Sequence, residues 1–340
     1  MAEIEKFMNI AIGDIEKIMN IETGDIEKVM GVEVPASGAA WLGDRAMAYG
    51  GDRGSGNPPE TANVEYLSIA AFTSGSWADH TEMGLGAELL ACVSSGTRGI
   101  NAGGNRTLTG TTTRFNTIEY VTISTTTSQT SDFGDLTAVR NGLTGLSNGT
   151  LGLFPSGGAE YDYDIEQITI ASAANASDVG DLAESDSDGC AASNATRGLY
   201  KYHVYNWAYN NVIEYITISS PSSTTDFGDL TDNRVPDSCE DSTRVWFMGG
   251  LLVGAVRMAE IDYVTVATTG NGADWGDLNV AKSGGGGTSN NAGRGVYIKG
   301  YSSSITRDSS YFSLASTGDA TDTDVDSQYY GNSLDAVSGT

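Results

Sequence analysis

The densest group of recognition side chains in this 340-residue sequence is Val204-Tyr205-Asn206-Trp207-Ala208-Tyr209-Asn210-Asn211. Tyr205, Trp207 and Tyr209 alternate, so in an extended loop they project from one side. Aromatic faces flanked by Asn suit stacking on a sugar ring or a protein hot spot. The plainer role for the same three is local packing over a rim. A second stretch, Leu251-Leu252-Val253-Gly254-Ala255-Val256, is apolar where a connecting loop is expected to be polar, which marks a contact with another protein. Catalytic constellations are harder to assemble. The two histidines, His80 and His203, lie in different repeats at non-equivalent positions, which disfavours a His-based metal site or a Ser-His-Asp arrangement. Aspartate pairs recur at Asp132/Asp135, Asp226/Asp229 and Asp274/Asp277. A catalytic pair is needed once, so these read as turn formers, with weak calcium binding as the alternative. Gly284–Gly287 lacks the Lys-Ser/Thr of a phosphate loop. Cys92, Cys190 and Cys239 are odd in number and without paired spacing, so they read as small core residues. The sequence predicts no catalytic residue, no metal and no cofactor, hence a chain that is not an enzyme.

The elements that position these residues are set by a long repeat. A strand-like phrase of the type Ile-Glu-Tyr-Val-Thr-Ile recurs six times, anchored at Tyr66, Tyr120, Gln167, Tyr215, Tyr263 and Tyr311. The spacings are 54, 47, 48, 48 and 48 residues. A period of that length means one supersecondary unit copied in series, each too small to bury its apolar face alone. In the phrase at 118–123, alternation puts Val121 and Ile123 on one face and Ile118, Tyr120 and Thr122 on the other, as expected of a sheet covered on both sides. Downstream of each phrase comes a piece such as Asp132-Phe133-Gly134-Asp135-Leu136, Phe227-Gly228-Asp229-Leu230 or Trp275-Gly276-Asp277-Leu278. Upstream lies an Arg-led strand ending in glycines, clearest in Arg98–Gly104, Arg244–Gly250 and Arg45–Gly51. A short run of small residues, such as Leu143–Ser147 or Gly284–Thr288, precedes it and suits an innermost strand crowded around an axis.

In this order the four pieces resemble a kelch-type repeat, from about residue 36 to 340. The resemblance implies a β-propeller with one blade per repeat, although the family's outer Trp is often Phe here. The expected fold is all-β, a six-bladed kelch-like propeller. Its first Arg strand has no inner strand before it, and Asn332–Thr340 is an inner strand without a partner. Pairing these N- and C-terminal strands completes the sixth blade and removes exposed sheet edges.

Residues 1–35 form a separate segment. Three 11-residue phrases, Ala2–Ile12, Gly13–Thr23 and Gly24–Val34, each place apolar residues at helical spacing: Ile4, Phe7 and Met8; Ile15, Ile18 and Met19; Ile26, Val29 and Met30. Two helical turns are not stable alone, so the stripes must meet the propeller, identical tails or another protein. Pro35 and Ala36–Ala40 read as the junction to the domain spanning 36–340.

The net charge of −26, from 44 acidic and 18 basic residues, repels phosphate backbones and anionic membrane surfaces. Neither nucleic acid nor membrane is therefore an expected partner. No apolar run reaches spanning length and no secretion signal is visible. A helical-phrase tail joined to a Gly/Ser/Thr-rich propeller is similar to structural proteins of environmental and marine bacteriophages. The resemblance implies a non-enzymatic virion protein, a fibre, tail or decoration component made in the host cytoplasm. Its N-terminal repeats would anchor it to other virion or assembly proteins or to copies of itself. The alternative is an adhesin binding a host surface glycan through Tyr205, Trp207 and Tyr209.

Overall fold

A computed structural model describes residues 28–29, 32–33, 42–52, 54, 62–71, 77–157, 162–201, 210–290, 293–323, 326–327, 331 and 333–340. The chain divides into two units, Met1–Ser37 and Gly38–Thr340. In the first, Lys28–Val29 pairs antiparallel with Val32–Glu33. Val29, read above as part of a helical stripe, is extended here, in keeping with the β preference of a branched side chain. The other eight stripe residues lie outside the described residues.

The second unit is an all-β, six-bladed propeller. Each blade is an antiparallel sheet of four strands, running in five of the six from the axis outward in chain order, with an added strand in two. The first blade joins Arg45–Tyr49, Asn63–Ser68 and Ala78–Glu82 to an inner strand from the far end of the chain, Asp335–Gly339. That inner strand pairs with its neighbour from Asp335 opposite Tyr49 to Gly339 opposite Arg45. The second blade runs Ala91–Ser94, Arg98–Ala102, Thr111–Thr122 and Ser131–Arg140; the third, Leu146–Ser147, Leu151–Pro155, Asp162–Thr169 and Ser177–Asp186. The fourth runs Cys190–Ser193, Arg197–Lys201, Val212–Thr217 and Thr225–Asp229. The fifth comprises Val235–Glu240, Arg244–Leu252, Glu260–Thr265 and Ala273–Asp277; the sixth, Gly286–Asn290, Arg294–Ile298, Ser309–Ser313 and Thr321–Asp322. The added strands are Asn105–Leu108 in the second blade and Val256–Arg257 in the fifth.

The two-faced alternation of the third strand explains why blades stack. Val121 and Ile123 pack with Met47, Tyr49 and Val64 of the blade before, while Ile118, Phe133 and Leu136 pack with Phe154, Ile168 and Ile170 of the blade after. One such apolar cluster fills each of the other junctions as well. The core is thus distributed between blades, and no blade has a core of its own.

Polar devices repeat with the blades. The Arg that opens the second strand lies over the Tyr of the third and donates to a backbone carbonyl of the next blade. Arg98 stands 4.4 Å from the Tyr120 ring centre and donates to Ile170 O at 2.8 Å. Arg45, Arg197, Arg244 and Arg294 do the same over Tyr66, Tyr215, Tyr263 and Tyr311, reaching Ile123, Val266, Leu314 and Ile69. Stacking and a charged donor each add to the junction. In the third blade the two positions hold Leu151 and Gln167 together.

On the outer strand, Gly134, Gly180, Gly228 and Gly276 sit at φ between 150° and 159° beside a strand irregularity. A Cβ on Gly228 would stand 2.4 Å from the Gly270 carbonyl oxygen of the next blade. That close approach lets Gly270 N donate to Phe227 O at 2.8 Å and Gly272 N to Asp229 O at 2.7 Å. The recurrent Phe-Gly-Asp phrase is therefore a blade-to-blade seam.

Candidate functional site

The inner strands surround the axis, and their last residues face one another around it. Ser94, Ser147, Ser193, Ser289 and Ser338 occupy the same register in five blades. Ser94 Oγ donates to Ser338 O at 2.9 Å, Ser147 Oγ to Ser94 O at 2.7 Å and Ser193 Oγ to Ser147 O at 2.7 Å. Ser289 Oγ donates to Glu240 O. In the fifth blade the serine is replaced by Glu240.

At this end the axis is crossed. Leu42, just before the first strand of the first blade, is buried against Ala195 of the fourth blade, three places round the ring. A cavity of about 480 Å³ runs from Leu42 along the inner strands, with Leu89, Gly142, Asp188, Ser333 and Tyr301 around its far end. This is the size of a small-molecule site. The inner strands begin at that far end, together with the connections from second to third strands, and we call it the funnel end.

Four carboxylates line the cavity, Asp188 at its far end and Asp237, Glu240 and Asp335 along the inner strands, and the last three have raised pKa values. Asp335 and Asp237 occupy equivalent registers in the first and fifth blades, two places apart. Asp335 accepts from Cys92 N of the second blade at 2.6 Å and from Ala336 N at 2.8 Å. Burial pushes it up to about 7 against those two bonds, and the charge on Asp237 adds to the rise. Asp237 accepts from Tyr297 Oη at 2.7 Å and Gly285 N at 3.1 Å, both of the sixth blade, and burial likewise raises it to about 7. Glu240 is pushed up to about 8 by burial and by Asp335 and Asp241. All three keep partial exposure along the funnel, so the rise comes from the protein shell rather than from complete exclusion of water. Near neutral pH such groups are both donors and acceptors, a suitable lining for a polyhydroxylated ligand. Arg257 also lines the cavity, 4.1 Å over the Tyr301 ring, and its Nε has no hydrogen-bond partner among the described residues.

Of the sequence-derived candidates, Leu251, Leu252 and Val253 fall at the same end. Leu251 and Leu252 extend the second strand of the fifth blade into a hairpin with Val256–Arg257. Leu251 lines the cavity, Leu252 is half-buried, and Val253 at the tip is 64% exposed. Tyr205, Trp207 and Tyr209 lie outside the described residues, in the connection from Lys201 to Val212. His80 is a packing residue: buried, its Nε2 donating to Ile123 O 3.0 Å away, edge-on to Tyr66, with burial holding its pKa below the usual range. Cys92, Cys190 and Cys239 are buried and free. Among the described residues no group of three His, Cys, Asp or Glu is arranged to hold a metal.

Sequence reasoning missed Asp237, Glu240, Asp335 and Leu42. One signal was available. Aligning the inner strands shows five serines and a single glutamate in one register.

Neither a protein-family model nor a curated protein matches the chain.

Proposed function

We propose that the chain is a non-enzymatic structural protein of a bacteriophage virion, a fibre, tail or decoration component. In this reading the kelch-like propeller is displayed outward and residues 1–35 anchor it to other virion or assembly proteins. The observation that carries the reading is the completeness of the ring. Strand pairing closes all six blades using residues from Arg45 onward. Ring closure thus uses none of the apolar positions Ile4, Phe7, Met8, Ile15, Ile18, Met19, Ile26, Val29 and Met30, which supports an assembly role for them. Deleting residues 1–34 is expected to leave a folded propeller that no longer enters particles. Normal incorporation of that variant, measured by gel densitometry of purified particles, would reject the reading.

The funnel favours a second reading, a host-glycan adhesin. A cavity of about 480 Å³ with carboxylates titrating near neutrality suits a sugar, and the sequence adds Tyr205, Trp207 and Tyr209 as stacking groups. Binding of the full chain to a glycan array, lost in Trp207→Ala and Glu240→Ser, is the expected result on this reading. An array without saturable binding would sink it.

A further inference from the structure

Almost every cation described in this acidic chain is matched. The Arg residues that open second strands donate to backbone carbonyls of the next blade. Arg140, Arg234, Lys282, Lys299 and Arg307 pair with carboxylates, while Arg114 donates to Asn141 and Lys201 to Asn210. Among the described residues, Arg106 and Arg257 are left with neither a side-chain hydrogen bond nor an ion pair. Of these two, only Arg257 lines the cavity.

Arg257 belongs to the added strand of the fifth blade and lies 4.1 Å from the ring centre of Tyr301, in the sixth. Tyr301 is fixed in turn, exchanging backbone hydrogen bonds with Ser283 at 2.8 and 3.1 Å. A guanidinium held over a ring keeps its N–H groups in its own plane, where they form a fork that matches a carboxylate. Its Nε is sealed from water without an acceptor, and an unmet buried donor is costly. A cation left so at the wall of a cavity of about 480 Å³ calls for an anionic group that the ligand brings.

The rest of the lining indicates what else that ligand carries. Arg257 pairs with Leu251, which faces Val235, two residues before Asp237 and five before Glu240. At strand spacing, the acids of the inner strands begin about 7 Å below the Arg257 register and end about 17 Å below it. With pKa values raised to about 7 for Asp237 and Asp335 and about 8 for Glu240, they hold protons much of the time near neutrality. They therefore do not bar an anion, and each can donate to or accept from a hydroxyl. A phosphate, with close to two charges, would leave one unmatched by a single guanidinium. A carboxylate with hydroxyls around it meets both the fork and the acids.

We propose that the cavity binds an acidic glycan, its sugar carboxylate held by Arg257 and its hydroxyls by Asp237, Asp335 and Glu240. The proposal rests on the adhesin reading above and names the class of sugar.

A glycan array probed with the full-length protein tests this, with uronate- and sialate-bearing oligosaccharides printed beside their carboxyl-reduced counterparts. Saturable binding is expected for one or more acidic members, and binding weaker by about tenfold or more for the reduced counterpart. Arg257→Gln should lose the same factor, and Arg257→Lys, a point charge without the fork, should recover part of it. Arg106→Gln, equally unpaired but outside the cavity, should bind as the unmodified chain does. Circular dichroism with thermal unfolding checks that each variant folds. Equal binding of acidic and reduced members, or undiminished binding by Arg257→Gln, would overturn the proposal and leave the adhesin reading standing. Acetyl-trialanine competing as well as the best sugar would overturn it in favour of a peptide C-terminus. An array with no saturable binding would remove both the proposal and the adhesin reading.

Discussion

The two ends of the ring carry the same six repeats and use them differently. At the end where Leu42 crosses the axis, one contact is made over and over. Five blades set an Arg across a Tyr and onto the next blade, and four outer glycines admit the neighbouring turn. At the funnel end the repeat supplies an acid before the anchor position in five blades, Glu65, Glu119, Glu166, Glu214 and Asp262, and each finds a different partner. Glu65 takes Lys299 at 2.6 Å, Glu166 takes Arg140 at 3.1 Å and Asp262 takes Arg234 at 3.1 Å. Glu119 accepts from Gly84 N, and Glu214 from Thr224, without a cation. A surface that only holds a ring can repeat itself. One that recognises a partner must break symmetry, and the unpaired Arg257 and the lone Glu240 fall where symmetry is broken.

Substitutions at the two ends sharpen this contrast. The largest loss is expected for Lys299→Met, which strands the buried Glu65 carboxylate and costs about 3–5 kcal/mol. Lys299 also holds a left-handed φ of 59°, where the first, second and fifth blades have Gly50, Gly103 and Gly249 and the third has Ser156. Denaturant titration should show most of the loss recovered in Glu65→Leu/Lys299→Met, and no recovery would mean that the ion pair is not the cause. Next is Gly228→Ala, where the new methyl meets the Gly270 carbonyl and the φ of 150° opposes it, at about 2–3 kcal/mol. Gly270→Ala has open space and should stay within about 0.5 kcal/mol. Equal losses at the two glycines would break the seam account.

Arg98→Ala is expected to cost about 1–2 kcal/mol through lost stacking and a lost charged donor. The third blade supplies the converse. Leu151→Arg/Gln167→Tyr should gain up to about 1 kcal/mol by a double-mutant cycle, and additivity of the two changes would show that the pair does not act together.

A smaller effect should come from pH. Asp237, Asp335 and Glu240 have folded pKa values raised above those of an unfolded chain, so their contribution is complete below the ordinary carboxylate range and is lost as pH rises through about 7 to 8. The melting temperature should therefore rise as pH falls from 9 to 7, a window above the lowered pKa of His80. Glu240→Ser should flatten that slope, and an unchanged slope would contradict the assignment. Least of all, Val253→Asp, at an exposed hairpin tip, should move stability by under about 0.5 kcal/mol in the same denaturant titration.

The architecture was legible because its signals are local and repeated. The period, the order of four strand types and the unpaired first and last strands all follow from spacing and alternation. The funnel was not, because its features arise only when the ring closes. Asp237 and Asp335 come near each other through a blade that separates them, and Leu42 meets Ala195 across the axis. Neither leaves a mark within one repeat. Along Val235–Glu240 nothing marks Glu240 as the odd one out, because the serines it stands among belong to the inner strands of the other five blades. The cations fell outside the repeat for a related reason. Arg140 and Lys299 reach acids of a following blade, a pairing that no single-repeat reading contains.

Hydrogen exchange under native conditions at Val337 and Gly339 tests the ring most directly. If these residues close the first blade, their amides should open only with global unfolding, at the same free energy as the inner strands Ala91–Ser94 and Cys190–Ser193. Exchange of Val337 and Gly339 within minutes, while those inner strands stay protected, would mean that the ring is not closed by its last strand.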